Sequence, residues 1–367
     1  MAEAHTVPRV YLKGFASKSG LMVVDKSASF AAQVSAQDLT SVEKVSTQTN
    51  FYILQRSSGP DETYEQTFQR IEARIRDFMK RLKTGKLLSR EDLTLLAVLA
   101  ALQDGRSERA RMMLADPLRE SFSSIEADVR ARGGTGDDVD AAIDAFVKTD
   151  VYDGDAVPDP KNLSLLTLRT SIETSTQMYG AMHKCILTSD AQPFMTSDHP
   201  VVWVDPRVLG RLRANRASTT CEVTYPLTRR HCLLMAYMPL EAAVSADEES
   251  VSVINARTAA AAEREVYVPP TGDMWHERLI ADLVAHADIG VVGKSLALRY
   301  CDPKGMPVSV RDVVRSVGMD QAVVDYANAE IIAGLKAAGL GAFSAAHAPH
   351  VTPEEAKAQF PRPLKGG

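Results

Sequence analysis

Apolar residues recur at three- and four-residue steps through residues 61–84, while Arg and Glu fill most of the other positions. This spacing places the apolar side chains on one face of a helix. A second helix is predicted to open at Ser89, because Asp92 follows three residues later as in a capping box. Further helices are predicted at 117–132, 137–148, 163–182, 249–264 and 321–336.

Short runs of β-branched and aromatic residues, bounded by turn residues, predict the strands. They lie at 21–25, 51–54, 185–187, 193–195, 201–204, 221–225, 232–237 and 265–268. The order is an N-terminal β element, a helical block, a sheet and then more helices. This order predicts an α+β fold with a mainly antiparallel sheet and packed helices, rather than alternating βαβ units.

The stretch 149–160 is acidic and rich in turn residues, which is typical of a boundary between structural units. It separates an N-terminal β element and helical lobe, 1–150, from a sheet-containing lobe, 161–302. Residues 303–367 are expected to form a helical C-terminal extension with a loose tail, because four prolines follow residue 345.

The composition is that of a globular protein, with 45% hydrophobic and 24% charged residues among 367. The formal net charge of −5 disfavours nonspecific nucleic-acid binding, which needs a basic face to displace counterions from phosphates. The longest apolar run, 93–102, is about half of what a bilayer requires, so no membrane partner is expected. Four dispersed cysteines and an N-terminus without an apolar signal segment predict a cytoplasmic protein.

Sequence motifs do not assign a cofactor or a metal. No GxGxxG, phosphate-binding GxxxxGKS/T or GxSxG pattern occurs, which disfavours the Rossmann, P-loop and α/β-hydrolase classes. His276–Glu277 lacks the second His that a zinc protease needs one helical turn later. A metal site built from His5, Glu72 and Asp198 would have no spacing signal, so no metal is predicted and the cofactor is left unassigned.

Asp198 is one candidate for chemistry, because Thr196, Ser197, Asp198 and His199 stand between two predicted strands and precede Pro200. Short polar side chains at a strand end can point into a cleft, where acid–base catalysis needs them. The alternative is a turn in which Asp198 accepts hydrogen bonds from backbone N–H groups.

Gln103 and Arg106 form a second candidate, since their three-residue spacing puts them on one helix face. The planar guanidinium of Arg106 suits a carboxylate or a phosphate, and Glu72 on the preceding helix would orient it. The alternative is an Arg–Glu pair that ties two helices together.

His5 is a third candidate, because an imidazole acts near neutral pH, although it also serves as a structural cap. Six arginines near the predicted sheet would form an anion site if their loop folds over Asp198; otherwise they are solvated loop charges. They are Arg207, Arg211, Arg213, Arg216, Arg229 and Arg230.

Several of these segments resemble a bacterial family called domain of unknown function 4238. The matching segments are 5–15 (HTVPRVYLKGF), 102–107 (LQDGRS), 194–201 (FMTSDHPV), 225–227 (YPL) and 254–255 (IN). The chain has His199 where the family more often has Asn. The resemblance implies a fold group and a set of candidate positions, His5, Glu72, Gln103, Arg106 and Asp198, without a reaction.

The first functional hypothesis is a hydrolase or group transferase with these five residues around one cleft. Asp198 or His5 would act as the base, while Arg106 would bind an anionic or carbonyl oxygen. Glu72 and Gln103 would orient them. The substrate would be a small anionic molecule, a nucleotide, an RNA or a peptide. The second hypothesis is a non-enzymatic binding or sensor module for an anionic ligand or a partner, and the third is a purely structural tie between the lobes.

Overall fold

The computed structural model describes residues 3–27, 39–49, 51–84, 88–147, 156–206, 220–270 and 289–302. The N-terminal segment forms β1 (Glu3–His5), α1 (Arg9–Leu12), β2 (Met22–Asp25), β3 (Thr47–Thr49), β4 (Leu54–Arg56) and β5 (Gly59–Asp61). β1 pairs with β3, and β4 pairs with β5, both antiparallel. The strand predicted at 51–54 begins only at Leu54, because Phe51 and Tyr52 lie in a turn and pack their rings into the core.

The helical block follows, and its helices begin and end close to the predicted positions with one exception. They are α2 (Thr63–Lys83), α3 (Arg90–Gly105), α4 (Glu108–Ala131), α5 (Gly136–Val147) and α6 (Pro160–Ala181). Both halves of the capping box predicted at Ser89 and Asp92 are formed. The prediction that a helix begins at Pro117 was wrong: α4 begins at Glu108, because the hydroxyl of Ser107 accepts the N–H of Ala110, and Pro117 lies inside the helix.

The sheet region contains β6 (His183–Thr188), β7 (Thr196–Ser197), β8 (Val202–Val204), β9 (Glu222–Thr228), β10 (His231–Ala236), β11 (Ala243–Ser245) and β12 (Glu265–Val268). One sheet has the order β11-β6-β10-β9-β8 and is antiparallel except for the β11–β6 pair. A smaller antiparallel sheet has the order β2-β12-β7. The strand predicted at 193–195 lies slightly later, at Thr196–Ser197.

Three helices complete the described chain: α7 (Glu248–Ala261), α8 (Ile289–Val292) and α9 (Leu296–Arg299). The carboxylate of Glu222 on β9 binds the guanidinium of Arg257 at 2.9 Å and accepts the N–H groups of Leu296 and Ala297 at 3.0 Å. Arg257 also donates to the carbonyl of Lys294 at 2.8 Å. This fully buried ion pair therefore anchors the segment 289–302 on the larger sheet.

The largest apolar cluster lies between the helices and the larger sheet. The phenol of Tyr179 on α6 stacks on Trp203 of β8, accepts its indole N–H at 2.8 Å and donates to Asp104 at 3.0 Å. This arrangement confirms the predicted α+β class. The division at 149–160 stays a prediction, and the helix at 321–336 and the tail lie outside the described residues. No helix among the residues described is both long and apolar enough to cross a membrane.

Candidate functional site

Arg106, at the end of α3, is the centre of a buried polar cluster. Its side chain is only 2% exposed. Its guanidinium donates to Glu72 Oε1 at 2.7 Å, to the carbonyl of His5 at 2.8 Å and to the hydroxyl of Tyr52 at 3.1 Å. It also lies 4.9 Å from the ring centres of Tyr52 and Phe68. Each of the three guanidinium nitrogens therefore donates to a partner within the protein itself.

Gln103 and His5 complete this group. The side-chain amide of Gln103 donates to the carbonyl of Thr6 at 3.1 Å. Burial and the charge of Arg9 lower the pKa of His5 below its ordinary value, which keeps the imidazole neutral at neutral pH. Its buried Nε2 atom has no hydrogen-bond partner among the residues described. We call the group the arginine cluster: His5, Tyr52, Phe68, Glu72, Gln103 and Arg106.

Asp198 lies directly after β7 and faces the turn between α7 and β12. Because β7 pairs with β12, the N–H of Asp198 continues the ladder and donates to the carbonyl of Glu265 at 3.1 Å. The carboxylate accepts three backbone N–H groups of the turn, from Glu263 at 2.9 Å, Arg264 at 2.7 Å and Glu265 at 3.1 Å. Asp198 thus fixes the conformation of the turn that carries Glu263.

Glu263 is the most perturbed carboxyl group of this region. Its Oε1 atom accepts the N–H of Arg109 at 3.1 Å and lies 3.9 Å from Nδ1 of His199. Its side chain is 20% exposed and that of His199 is 15% exposed, whereas the His199 Nδ1 atom that faces Glu263 is buried. Burial, followed by the negative charge of Asp198, raises the pKa of Glu263 to about 7.

Lys26 closes the region from the side of β2. Its ammonium group donates to the carbonyls of Ala262 at 2.7 Å and Ala259 at 2.9 Å, at the end of α7. It therefore satisfies the last carbonyls of that helix, as basic side chains at a helix C-terminus do. We call this second group the carboxylate cluster: Lys26, Arg109, Asp198, His199 and Glu263.

The five residues singled out in the sequence divide between the two clusters. Four of them lie together around Arg106: His5, Glu72, Gln103 and Arg106. In the described part of the chain, no hydrogen bond or ion pair joins Asp198 to them. Their catalytic roles stay predictions, since each polar group except the imidazole of His5 is engaged in holding the fold.

Other sequence candidates are placed only in part. Arg207, Arg211, Arg213 and Arg216 lie outside the described residues, as do His276 and His286. Arg230 forms an exposed pair with Asp190 at 2.8 Å. Within the described ranges, no three His, Cys, Asp or Glu side chains are arranged to hold a metal ion.

The segments that carry the family resemblance contact one another. The hydroxyl of Tyr11 lies 2.6 Å from Thr196 Oγ1 and donates to the carbonyl of Pro226 at 2.6 Å. The amide of Asn255 accepts the N–H of Met195 at 3.0 Å and donates to the carbonyl of Pro193 at 3.1 Å. These residues therefore form a shared polar framework between the N-terminal arm and the sheet.

The fold and the two clusters define an α+β protein whose helical block and sheet are joined by buried polar contacts. The chain belongs to the family described as Protein of unknown function (DUF4238), whose model matches residues 4–271. Neither a curated protein nor a solved structure matches the chain.

Sequence reasoning missed Glu263, Lys26 and Tyr52. Glu263 follows an alanine-rich helix and has no periodic or motif signal of its own. Its importance depends on Asp198, which is 65 residues away in the chain. Tyr52 was assigned to a strand on its aromatic character, although its hydroxyl contacts Arg106.

Proposed function

We propose that the protein is a hydrolase or group transferase in which Glu263 exchanges a proton with the substrate. The observation that carries this proposal is the position of Glu263, with Oε1 at 3.9 Å from His199 Nδ1 and with Asp198 holding the same turn. A carboxyl group and an imidazole that are both partly exposed offer the two groups that acid–base catalysis uses most often.

The electrostatics of the site support this role. A catalytic acid or base works best when its pKa is close to the pH at which it operates. Burial and the charge of Asp198 raise the pKa of Glu263 to about 7. At neutral pH the carboxyl group is thus populated in both protonation states, so it can donate a proton as well as accept one.

The neighbouring residues have distinct roles in this proposal. Asp198 is a positioning residue that holds the turn through three backbone N–H groups, instead of taking the proton itself. His199 is the second acid–base group of the site, with its Nδ1 atom 3.9 Å from Glu263 Oε1. The arginine cluster holds the N-terminal arm against the helical block. Within that cluster the imidazole of His5 is the group whose Nε2 atom is not used in a hydrogen bond among the residues described.

The experiment is a turnover screen of the full-length protein with chromogenic carboxylic esters, phosphomonoesters and phosphodiesters between pH 5 and 9. We expect at least one substrate to be turned over with an inflection of kcat near pH 7. The Glu263→Gln variant should lose this inflection and at least about a hundredfold in kcat, the low end of what a general acid–base group contributes. The matched control is Glu120→Gln, on the exposed side of α4, which should behave like the wild type.

Two results would overturn the proposal. One is turnover that Glu263→Gln leaves unchanged in both kcat and pH profile. The other is saturable binding of an anionic compound without turnover of any substrate, which is the behaviour expected of the alternative, a non-enzymatic binding or sensor module. His199→Asn should shift the inflection, because it replaces the imidazole next to Glu263 with a side chain that does not ionise.

A further inference from the structure

Helix α2 carries a concentration of exposed positive charge in a protein whose formal net charge is −5. One face of the helix is apolar and buried in the core, and the rest of its circumference is largely exposed. The exposed basic residues of its C-terminal part are Arg70, Arg74, Arg76, Lys80, Arg81 and Lys83. Asp77 is the exposed acidic residue of the same stretch. The net charge of the whole chain, which disfavours nonspecific nucleic-acid binding, therefore does not describe this face.

Most of these positive charges are not neutralised by the protein itself. Lys80 pairs with Asp77 at 3.3 Å, and Arg81 pairs with Asp92 at 2.5 Å. The basic residues that form no ion pair within the described part of the chain are Arg70, Arg74, Arg76 and Lys83. Like charges one helical turn apart destabilise a helix, so an anionic partner would relieve this repulsion.

The basic residues form two rows along the helix. The first row comprises Arg70, Arg74 and Arg81, and the second comprises Arg76, Lys80 and Lys83. At 3.6 residues per turn, the rows stand about 130° apart around the helix axis and extend over about 20 Å along it. A helix with its side chains is about 10–12 Å across, so the two rows are about 10 Å apart. Ala73 and Asp77 lie between them.

We propose that this face is a binding surface for double-stranded DNA. The major groove of B-form DNA is about 12 Å wide, admits an α-helix and is bounded by the two phosphate backbones. With α2 in the groove, each row of basic residues faces the phosphates of one strand. The planar guanidinium groups of the arginines suit phosphate oxygens, to which they donate pairs of parallel hydrogen bonds.

The geometry of α2 favours DNA over other anionic partners. The apolar residues of the helix are buried, and none of its large apolar side chains is exposed, so α2 has no apolar face to insert into a lipid surface. The major groove of double-stranded RNA is deep and too narrow for side chains to read. Two rows of cations match two phosphate backbones, whereas a single acidic peptide strand would face one row.

The test is fluorescence anisotropy of the full-length protein with a fluorescein-labelled DNA duplex of mixed sequence, about two helical turns long. The four unpaired cations should release the counterions of about four phosphates, so log K should fall with log salt with a slope of about −3.6. This slope corresponds to a loss of roughly 150-fold in affinity between 50 and 200 mM KCl.

Arg74→Gln and Arg76→Gln each remove one cation, one from each row. Each should weaken binding about eightfold at 0.1 M KCl and make the slope less steep by about 0.9. Arg130→Gln is the matched control, because it removes the same charge from an exposed arginine on α4, and it should bind like the wild type. Asp77→Asn removes the acidic group between the rows and should tighten binding, a gain that misfolding does not produce.

The absence of duplex binding at 50 mM KCl would overturn the proposal. Equal weakening by Arg74→Gln and Arg130→Gln would contradict it as well, since binding would then follow the net charge alone. Tighter binding to a double-stranded RNA of the same sequence, or binding to phosphatidylserine vesicles without binding to DNA, would refute the choice of partner. None of these results bears on Glu263, whose role is judged by kcat and its pH profile.

Discussion

The arginine cluster and the carboxylate cluster contain similar residue types but differ in how completely their hydrogen bonds are satisfied. Arg106 is buried, and its guanidinium has a carboxylate, a carbonyl and a hydroxyl as partners. Glu263 is partly exposed, and its Oε1 has one backbone donor, while a second carboxylate lies close by. The first arrangement holds its charge in one state, whereas the second lets the proton come and go near neutral pH.

This difference shows why charged residues in a family motif need not be catalytic. A buried ion pair is weak evidence for stability as such, but removing one partner leaves the other charge uncompensated. Arg106 and Glu72 are in that situation. Glu263 has the opposite property: its ionised form is unfavourable in the folded protein, and perturbed carboxyl groups of this kind are enriched at functional sites.

The largest effect is expected for Arg106→Ala. The change leaves Glu72, the carbonyl of His5 and the hydroxyl of Tyr52 without their common partner, and it opens a cavity between the two aromatic rings. We expect a loss of about 3–5 kcal/mol in the free energy of unfolding, measured by urea denaturation. Arg9→Ala removes an exposed pair with Glu43 and should cost less than about 1 kcal/mol. Similar losses for the two variants would show that the hydrogen bonds of Arg106 contribute no more to stability than an exposed ion pair does.

A smaller effect is expected for Asp198→Ala, which leaves three backbone N–H groups of the turn 263–265 without their acceptor. The expected loss is about 2–3 kcal/mol, because the hydrogen bonds go to a charged group but part of the turn can be reached by water. Asp198→Asn keeps one acceptor oxygen and should lose less. Asp190→Ala, in an exposed pair with Arg230, provides the control in the same urea series. A change at Asp198 no larger than at Asp190 would contradict the positioning role.

The smallest effect is expected for Glu263→Gln, and its sign depends on pH. The pKa of Glu263 is raised from 4.5 to about 7, so the folded protein binds this proton more tightly than the unfolded chain does. The stabilisation is fully present below pH 4.5 and is lost as the pH rises through 7. Since glutamine does not ionise, the variant should match the wild type at pH 5 and be more stable at pH 8 by about 1–2 kcal/mol. Melting temperatures of the wild type and of Glu263→Gln between pH 5 and pH 8 measure this difference. If the two proteins show the same dependence of melting temperature on pH, the raised pKa of Glu263 is refuted.

Local features of the fold could be predicted from the sequence. The capping box at Ser89 and the apolar period of α2 were confirmed, because both depend on residues within one or two helical turns. The predicted start of α4 was too late because Pro117 was taken as its first residue. Proline is common in the first turn of a helix, but here it lies inside the helix that begins at Glu108. The parallel strand β11 was missed because Ala243–Ser245 is too short to show a period.

Contacts of the candidate site could be predicted where the residues are close in sequence or lie on adjacent helices. Gln103 and Arg106 do lie near each other, and Glu72 is the partner that antiparallel helices suggested. The partners of Asp198 are backbone groups more than sixty residues later in the chain, so no local pattern contains them. Ser46 has a positive φ of 57°, and its contacts with Thr6 and Val7, which only the fold brings close, are equally absent from any local pattern.

The anchoring of 289–302 by Glu222 and Arg257 bears on how shortened versions of the chain should be designed. The matched family region ends at residue 271, yet Leu296 and Tyr300 fill the apolar layer beneath the larger sheet. A chain that ends at residue 271 would lack the backbone groups of 294–297 that bind Glu222 and Arg257. It would also expose the apolar side chains of the larger sheet that Leu296 and Tyr300 cover. The smallest version expected to fold by itself therefore extends to at least residue 302, some thirty residues past the recognised family boundary.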